Sequence, residues 1–516
     1  MTTAPALKRY INHKATMTIS LCSAFFPLLV ATLVLSTEVH ASSREELLNS
    51  ANDTTFRASV PQVRSLARAK PTRMPTTKPT NPNIGKPTSH PTSKPTLHPT
   101  SMPTVTPATN TLTQQIICGY QGWFAYKGDG APINRWKHWF DDPASSEPIA
   151  GNLHVDMFPV TDEYDQADLG ISHLLMTDGT NATFFSNVKP RVVLKHFEWM
   201  AQYGISGVFH MRFMEGLSTS ANNREWKTMV LRNVRNAAEA TGRLFAVSYN
   251  IAGNSIDDSV LNELKVDWMR LVDEERITQS NRYIRHGGLP VLRIFGIGFK
   301  TVNVANIGAL AELIDWFQKS AESKYRVFLI GGVPSRWRDR VNDAREEPEW
   351  KGIYDALDGI HPWHVGRWST TASFETYYSN IISLDASYCA SKGVLYMPTM
   401  FPGFSWHNMN KDSPINSIPR LGGNFMWAQA YRYVADKKIS TIWMAQFDEV
   451  DEGTAIFKVA SRQSDVPVDG KWLTLDADGQ SLPSDWYLSL CGEAQKMLAK
   501  KIKLTSKIPI KPNLFA

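Results

Sequence analysis

From Thr111 onward the chain carries short runs in which apolar residues fall at consecutive rather than alternate positions. Apolar character on both faces is what a parallel strand needs when other layers cover it on each side. Eight runs fit: Ile116–Gly122, Gly207–Phe213, Leu244–Tyr249, Pro290–Phe295, Arg326–Ile330, a weaker one from Gly359 to Val365, Val394–Met397 and Ser440–Phe447. Amphipathic helical stretches separate most of them. In Val192–Tyr203, apolar Val193, Phe197 and Met200 recur at helical spacing, and Gly204 supplies a stop. The same reading predicts helices over Glu225–Thr241, ended by Gly242, and over Ile307–Ser320, Asn424–Asp436 and Trp486–Leu498. Alternating strands and helices imply a parallel sheet. Eight repeats predict its closure into a (β/α)8 TIM barrel, an α/β fold. The stretch from Phe124 to Pro190 is then an oversized loop after the first strand.

The N-terminal fifth of the 516-residue chain follows a different pattern. Lys8, Arg9 and Lys14 precede an apolar run from Ile19 to Leu35, and small residues follow at Val39-His40-Ala41. That order predicts a secretory signal peptide over 1–41, with a signal-anchor tethering the protein to a membrane, such as that of the Golgi, as the alternative. From Pro71 the text turns Pro/Thr-rich, with Pro87, Pro91, Pro95, Pro99, Pro103 and Pro107 spaced four residues apart. Proline fixes φ and removes amide donors, so 42–110 is predicted to be a disordered Ser/Thr/Pro-rich linker. The catalytic-type body is assigned to 111–516. Together these features predict a secreted or secretory-pathway glycoprotein, with sequons at Asn52-Asp53-Thr54 and Asn181-Ala182-Thr183.

Charge changes the picture once it is divided along the chain. Residues 1–110 hold 12 Lys/Arg against 4 Asp/Glu, which leaves 43 against 45 for the body. The body therefore offers no basic surface for nucleic acid, and none is expected as a partner. With Cys22 in the leader, Cys118, Cys389 and Cys491 allow at most one disulfide. Neither a CxxC nor a Cys/His cluster stands out in the sequence, so neither metal nor cofactor is expected.

In this barrel the chemistry sits at the C-terminal ends of the strands. The last predicted strand runs into Phe447-Asp448-Glu449-Val450-Asp451-Glu452-Gly453-Thr454. Carboxylates crowded at a strand end repel one another, so one pKa must rise. A raised acid beside an ionised partner is what glycoside hydrolysis uses. A solvated acidic loop and a calcium site are the alternatives. Other strand ends carry residue types that bind sugars by stacking and hydrogen bonding: Tyr120, Gln121 and Trp123, then His210 and Arg212, Tyr249 and Asn250, Trp363 and His364, and Trp406, His407 and Asn408. Asp156 in the first loop adds a carboxylate.

Four of these segments resemble the glycoside hydrolase 71/99-like group, which is related to the family 99 endo-α-mannosidases. They are Gly119-Tyr120-Gln121-Gly122-Trp123-Phe124, His154-Val155-Asp156, the run from Phe401 to Asn408, and Phe447 to Thr454. The last is similar to a family 99 strand-eight motif, Phe-Asn-Glu-Trp-His-Glu-Gly-Thr, whose two glutamates fall on Glu449 and Glu452. The resemblance implies that Glu449 is the general base toward a substrate 2-hydroxyl and Glu452 the general acid/base at the glycosidic oxygen. It also implies a polysaccharide or glycan substrate with α-linked mannose or glucose. Asp448, Val450 and Asp451 depart from the motif, which bears on sugar preference and stereochemical outcome. A non-catalytic carbohydrate-binding barrel on a stalk is the rival expectation.

Overall fold

The computed structural model describes residues 110–140, 147–253 and 255–514. The expected leader and linker therefore lie outside the described residues, except for Asn110.

Eight parallel strand positions follow one another along the chain: β1 (Gln115–Tyr120), β2 (Gly207–Phe213), β3 (Leu244–Asn250), β4 (Leu289–Phe295), β5 (Phe328–Val333), β6 (Gly359–Pro362), β7 in two pieces (Leu395–Tyr396 and Thr399–Met400) and β8 (Thr441–Met444). β2 and β3 are buried along nearly their whole length, as continuous apolar runs require. The hydrogen-bonded order is first piece of β7, β6, β5, β4, β3, β2, β1, β8, second piece of β7. Both ends of that order belong to one stretch of chain. The Met397 amide still donates to Ile360 O of β6, while Pro398 O already accepts from Trp443 N of β8. The Met397-Pro398 step thus passes the strand from one neighbour to the other, and the ring closes.

A helix follows each strand: α1 (Pro190–Tyr203), α2 (Ala221–Thr241), α3 (Asp258–Asp273), α4 (Ile307–Asp315), α5 (Trp350–Asp355), α6 (Thr371–Tyr377, continued through a π-helical turn at Tyr378–Ile382 into Ser383–Lys392), α7 (Asn424–Ala435) and α8 (Trp486–Leu498). The (β/α)8 barrel expected from the sequence is the fold observed. The predicted glycine stops hold: Gly204 and Gly242 end α1 and α2 with φ of 77° and 71°, where an L side chain is disfavoured.

Sequence periodicity left α3, α5 and α6 unassigned. α3 is set by Asp257, whose side chain accepts from the amides of Ser259 and Val260, and it buries Leu261, Leu264, Trp268 and Leu271. The oversized first loop is partly ordered as an antiparallel hairpin, Leu169–Leu175 with Asn181–Phe185. Its aromatic residues pack with Trp139 and Phe140 over the barrel. Cys118, Cys389 and Cys491 are buried free thiols. Among the described residues no helix is long and apolar enough to cross a membrane.

Candidate active site

The chain leaving β8 turns back on itself between Phe447 and Thr454. The amides of Thr454 and Ala455 both return to Glu449 O, and Phe447 N donates to Gly119 O at the end of β1. This tight turn brings four carboxylates to the C-terminal rim of β8 and β1. Asp448 is fully buried, and each of its oxygens accepts a backbone amide from β1's exit: Gln121 N at 2.8 Å and Gly122 N at 2.9 Å. Gly122 sits at φ 61° there, and a Cβ would meet His210 at 2.9 Å, so glycine fits this approach. Asp448 therefore locks the two strand ends together, and burial pushes its carboxyl up to about 7.

Glu449 is held by two donors. Gln121 Nε2 donates to Oε1 at 2.8 Å, and Thr454 Oγ1 lies 3.2 Å from Oε2. Burial, and then the field of Glu452, Asp451 and Asp448, raise its pKa well above the ordinary carboxylate range. Glu452 is half-buried. Its backbone carbonyl accepts from Ser405 N at 2.9 Å, while its carboxylate makes no hydrogen bond to the described residues. Burial pushes that carboxyl up to about 7. The two glutamates share their proton affinity, so the rise belongs to the pair.

Asp451, between them in sequence, turns toward the first loop. His138 Nδ1 lies 3.0 Å from its Oδ2, and His154 Nε2 lies 3.9 Å from the same atom. One donor atom from each of His138, His154 and Asp451 can be chosen so that all lie within 4.8 Å of one another. Among the described residues this group of side chains can hold a metal ion, and spacing along the chain does not reveal it because its members are far apart in sequence. His138 also stacks face to face on Trp123, with ring centroids 3.7 Å apart and planes at 6°, and Trp123 stacks in turn on Phe213 at 5.2 Å.

Strand parity sorts the remaining sequence candidates. Phe209, Ser248, Arg293, His361 and Trp443, from five different strands, meet inside the barrel. Arg293 Nη1 donates to Ser248 Oγ at 2.8 Å, and its Nε donates to His361 Nδ1 at 2.8 Å. Its guanidinium lies 4.2 Å from the Trp443 ring centroid, and Phe209 stacks on Trp443 at 5.3 Å. Successive side chains on a strand point to opposite faces. Tyr120, His210, Arg212 and Tyr249 have the other parity and pack outward under the helices. Tyr120 Oη pairs with His196 of α1 at 2.8 Å and accepts from Asn187 at 2.9 Å. The Arg212 guanidinium grips Asp267 of α3 through Nε at 2.6 Å and Nη2 at 2.8 Å, and Tyr249 Oη donates to the same carboxylate at 2.6 Å. His364 is fully buried beside Trp368 and Tyr377. These five side chains are thus corrected from sugar ligands to packing between strand and helix.

Asp156, His407 and Asn408 form a second knot rather than an open surface. Asp156 accepts Ser405 Oγ at 2.5 Å, His407 N at 2.8 Å and Asn408 N at 2.7 Å. The Asn408 amide donates to Val155 O and Lys471 O. This clamp fixes the loop after β7 against the first loop and holds Ser405 next to Glu452. Gln121 lies against the acidic turn through Glu449, and Trp123 through His138, which contacts Asp451. Asn250 and Trp363 share the inward parity of Ser248 and His361, and Trp363 packs 5.5 Å from Phe295. Trp406 is half-buried, 6.1 Å from Phe404. Sequence reasoning missed Arg293, His361, His138 and the locking role of Asp448. Period-two alternation along β4 and β6 was the available signal for the first two.

Fold and rim together define a (β/α)8 barrel with a paired-glutamate turn after its last strand, and solved structures are similar to it in fold. The glycoside hydrolase family 99 endo-α-mannosidase from Bacteroides thetaiotaomicron superposes with a TM-score of 0.52 at 16% identity, over 76% of this chain and 99% of that one. The same enzyme in complex with bis-tris propane gives a TM-score of 0.51 at 16% identity, with the same coverage. At this identity the likeness establishes the fold. The chain matches no family model and no curated protein.

Proposed function

We propose that the chain is a glycoside hydrolase that cleaves O-glycosidic bonds in an α-linked mannoside or glucan, with Glu449 and Glu452 as the acid–base pair. One observation carries this reading. Glu449 is oriented by two protein donors, while the carboxylate of Glu452, three residues on in the turn after the last strand, makes no hydrogen bond to the described residues. A held acceptor suits a base, and an unengaged carboxyl suits a group that must reach a substrate oxygen. In this scheme Glu452 gives its proton to the departing glycosidic oxygen as the C–O bond breaks. Glu449 takes a proton from a sugar hydroxyl or an incoming water, and a water molecule is added across the bond overall. The half-buried rings of His138 and Phe213, each stacked on the buried Trp123, offer an aromatic wall against which a pyranose ring can pack. The fold likeness to an endo-α-mannosidase supports the α-linked substrate class. The basic-apolar-small order of the leader supports action outside the cell or in the secretory lumen.

The test is a panel of α-mannans, α-glucans and aryl glycosides incubated with the purified protein, with product anomers read by NMR. Turnover that disappears in both Glu449→Gln and Glu452→Gln is the expected result. Turnover retained in either variant, or no cleavage of any member of the panel, contradicts the assignment.

A further inference from the structure

We propose that His138, His154 and Asp451 form a divalent transition-metal site, of the kind zinc occupies, that pins the long excursion after β1 onto the acidic turn after β8. Two imidazole nitrogens and one carboxylate oxygen are a zinc-type donor set, and three protein ligands leave one position for water. The spacing fits. Ligand bonds of about 2.0–2.2 Å in a tetrahedron place neighbouring donor atoms about 3.3 Å apart. Here Asp451 Oδ2 lies 3.0 Å from His138 Nδ1 and 3.9 Å from His154 Nε2, on either side of that value. The three ligand atoms stay within 4.8 Å of one another without any rearrangement.

Three further observations point the same way. Asp451 is buried, at 1% exposure, and its second carboxylate oxygen, Oδ1, has no hydrogen-bond partner among the described residues, so the carboxylate beside the two imidazoles is only partly satisfied. A buried charge of that kind calls for a compensating partner. The His138 ring is fixed before any ion arrives, by its face-to-face stack on Trp123. His138 also holds a backbone φ of 64°, a region non-glycine residues rarely occupy and one that clusters at functional positions. A metal here would neutralise one of four crowded carboxylates and tie together side chains far apart in sequence, His138 and Asp451 being 313 residues apart. Its test is independent of the glycosidase reading, because zinc uptake and the thermal melt are read without turnover.

Zinc ion is the probe. The full chain is stripped with a chelator, dialysed, and titrated with zinc by calorimetry, with a thermal melt recorded alongside. The expected result is one zinc per chain, a melting temperature that rises with zinc, and affinity weakened about tenfold or more in both His154→Gln and His138→Gln. Circular dichroism establishes that each variant is folded. His154 is part-exposed, so His154→Gln is the change expected to leave folding intact. No zinc uptake by the folded wild-type chain, or undiminished uptake in either folded variant, overturns the proposal.

Discussion

Replacing Asp267 by asparagine tests whether Arg212 and Tyr249 belong to the barrel's architecture rather than to its sugar site. In the folded chain the Asp267 carboxylate takes two hydrogen bonds from Arg212 and one from Tyr249, and Arg212 is fully buried. Asparagine keeps the shape but removes the charge, leaving a buried guanidinium without its counter-ion. Breaking a buried pair by removing one partner costs about 3–5 kcal/mol. The unfolding entropy is about 2.1 cal/mol/K per residue, so a body of about 400 residues converts that cost into a Tm loss of about 4–6 °C. Titration gives an independent measure. Burial alone would raise Asp267, but the charge and hydrogen bonds of Arg212, with the hydrogen bond from Tyr249 and the charge of Arg270, hold it at about 2 against an ordinary 3.8. That depression stabilises the folded state by about 2 kcal/mol. Because the folded pKa is lowered, the contribution is complete above about pH 4 and is lost as pH falls through 2. The gap in Tm between wild type and Asp267→Asn should therefore be full at pH 7 and shrink below pH 4. Thermal melts across pH, with kinetics at a permissive temperature, decide the matter. The expected outcome is a lowered Tm with KM within about twofold of wild type. An unchanged Tm combined with a raised KM would refute the reasoning and return Arg212 to the sugar site.

Other outcomes follow from the same geometry. Glu449→Gln should lower kcat by about 10²–10⁴. It should also raise Tm, because burial and the neighbouring carboxylates disfavour the ionised form that a base must adopt, and an amide carries no charge to be disfavoured; a melt and an initial-rate assay on one preparation check both signs. Gln121→Leu leaves Glu449 Oε1 without its 2.8 Å donor. It should reduce kcat while the chain stays folded, read by kinetics beside circular dichroism. Gly122→Ala forces a Cβ to 2.9 Å from His210 at a φ of 61°. It should cost about 1–3 kcal/mol of stability, measured by denaturant unfolding.

Much of the barrel was legible because a parallel strand buried on both faces leaves an unbroken apolar run. Gly207–Phe213 was assigned to the residue, and α1, α2, α4, α7 and α8 were found from helical spacing or glycine stops. What stayed hidden has identifiable causes. α3 carries a buried Asp267 in its apolar stripe, which weakens the periodic signal of a helix that serves the Arg212 pair. β7 is broken at Met397-Pro398, so its second half read as loop, although that break is where the ring closes. At the site, the sequence located the acidic turn, Gln121 and Trp123 because position at a strand end was enough. It misplaced Tyr120, His210, Arg212, Tyr249 and His364 because proximity to a strand end does not say which face a side chain takes. The Asp156 knot and the His138–His154–Asp451 group are long-range meetings that spacing along the chain does not encode.

The most direct test of the central claim is sugar release from α-mannan, α-glucan and aryl α-glycosides by the wild-type chain and by Glu452→Gln, at equal folded concentration. The account predicts release by wild type and its loss in the variant, with the variant's Tm no lower than that of wild type. Release by Glu452→Gln at the wild-type rate would contradict it.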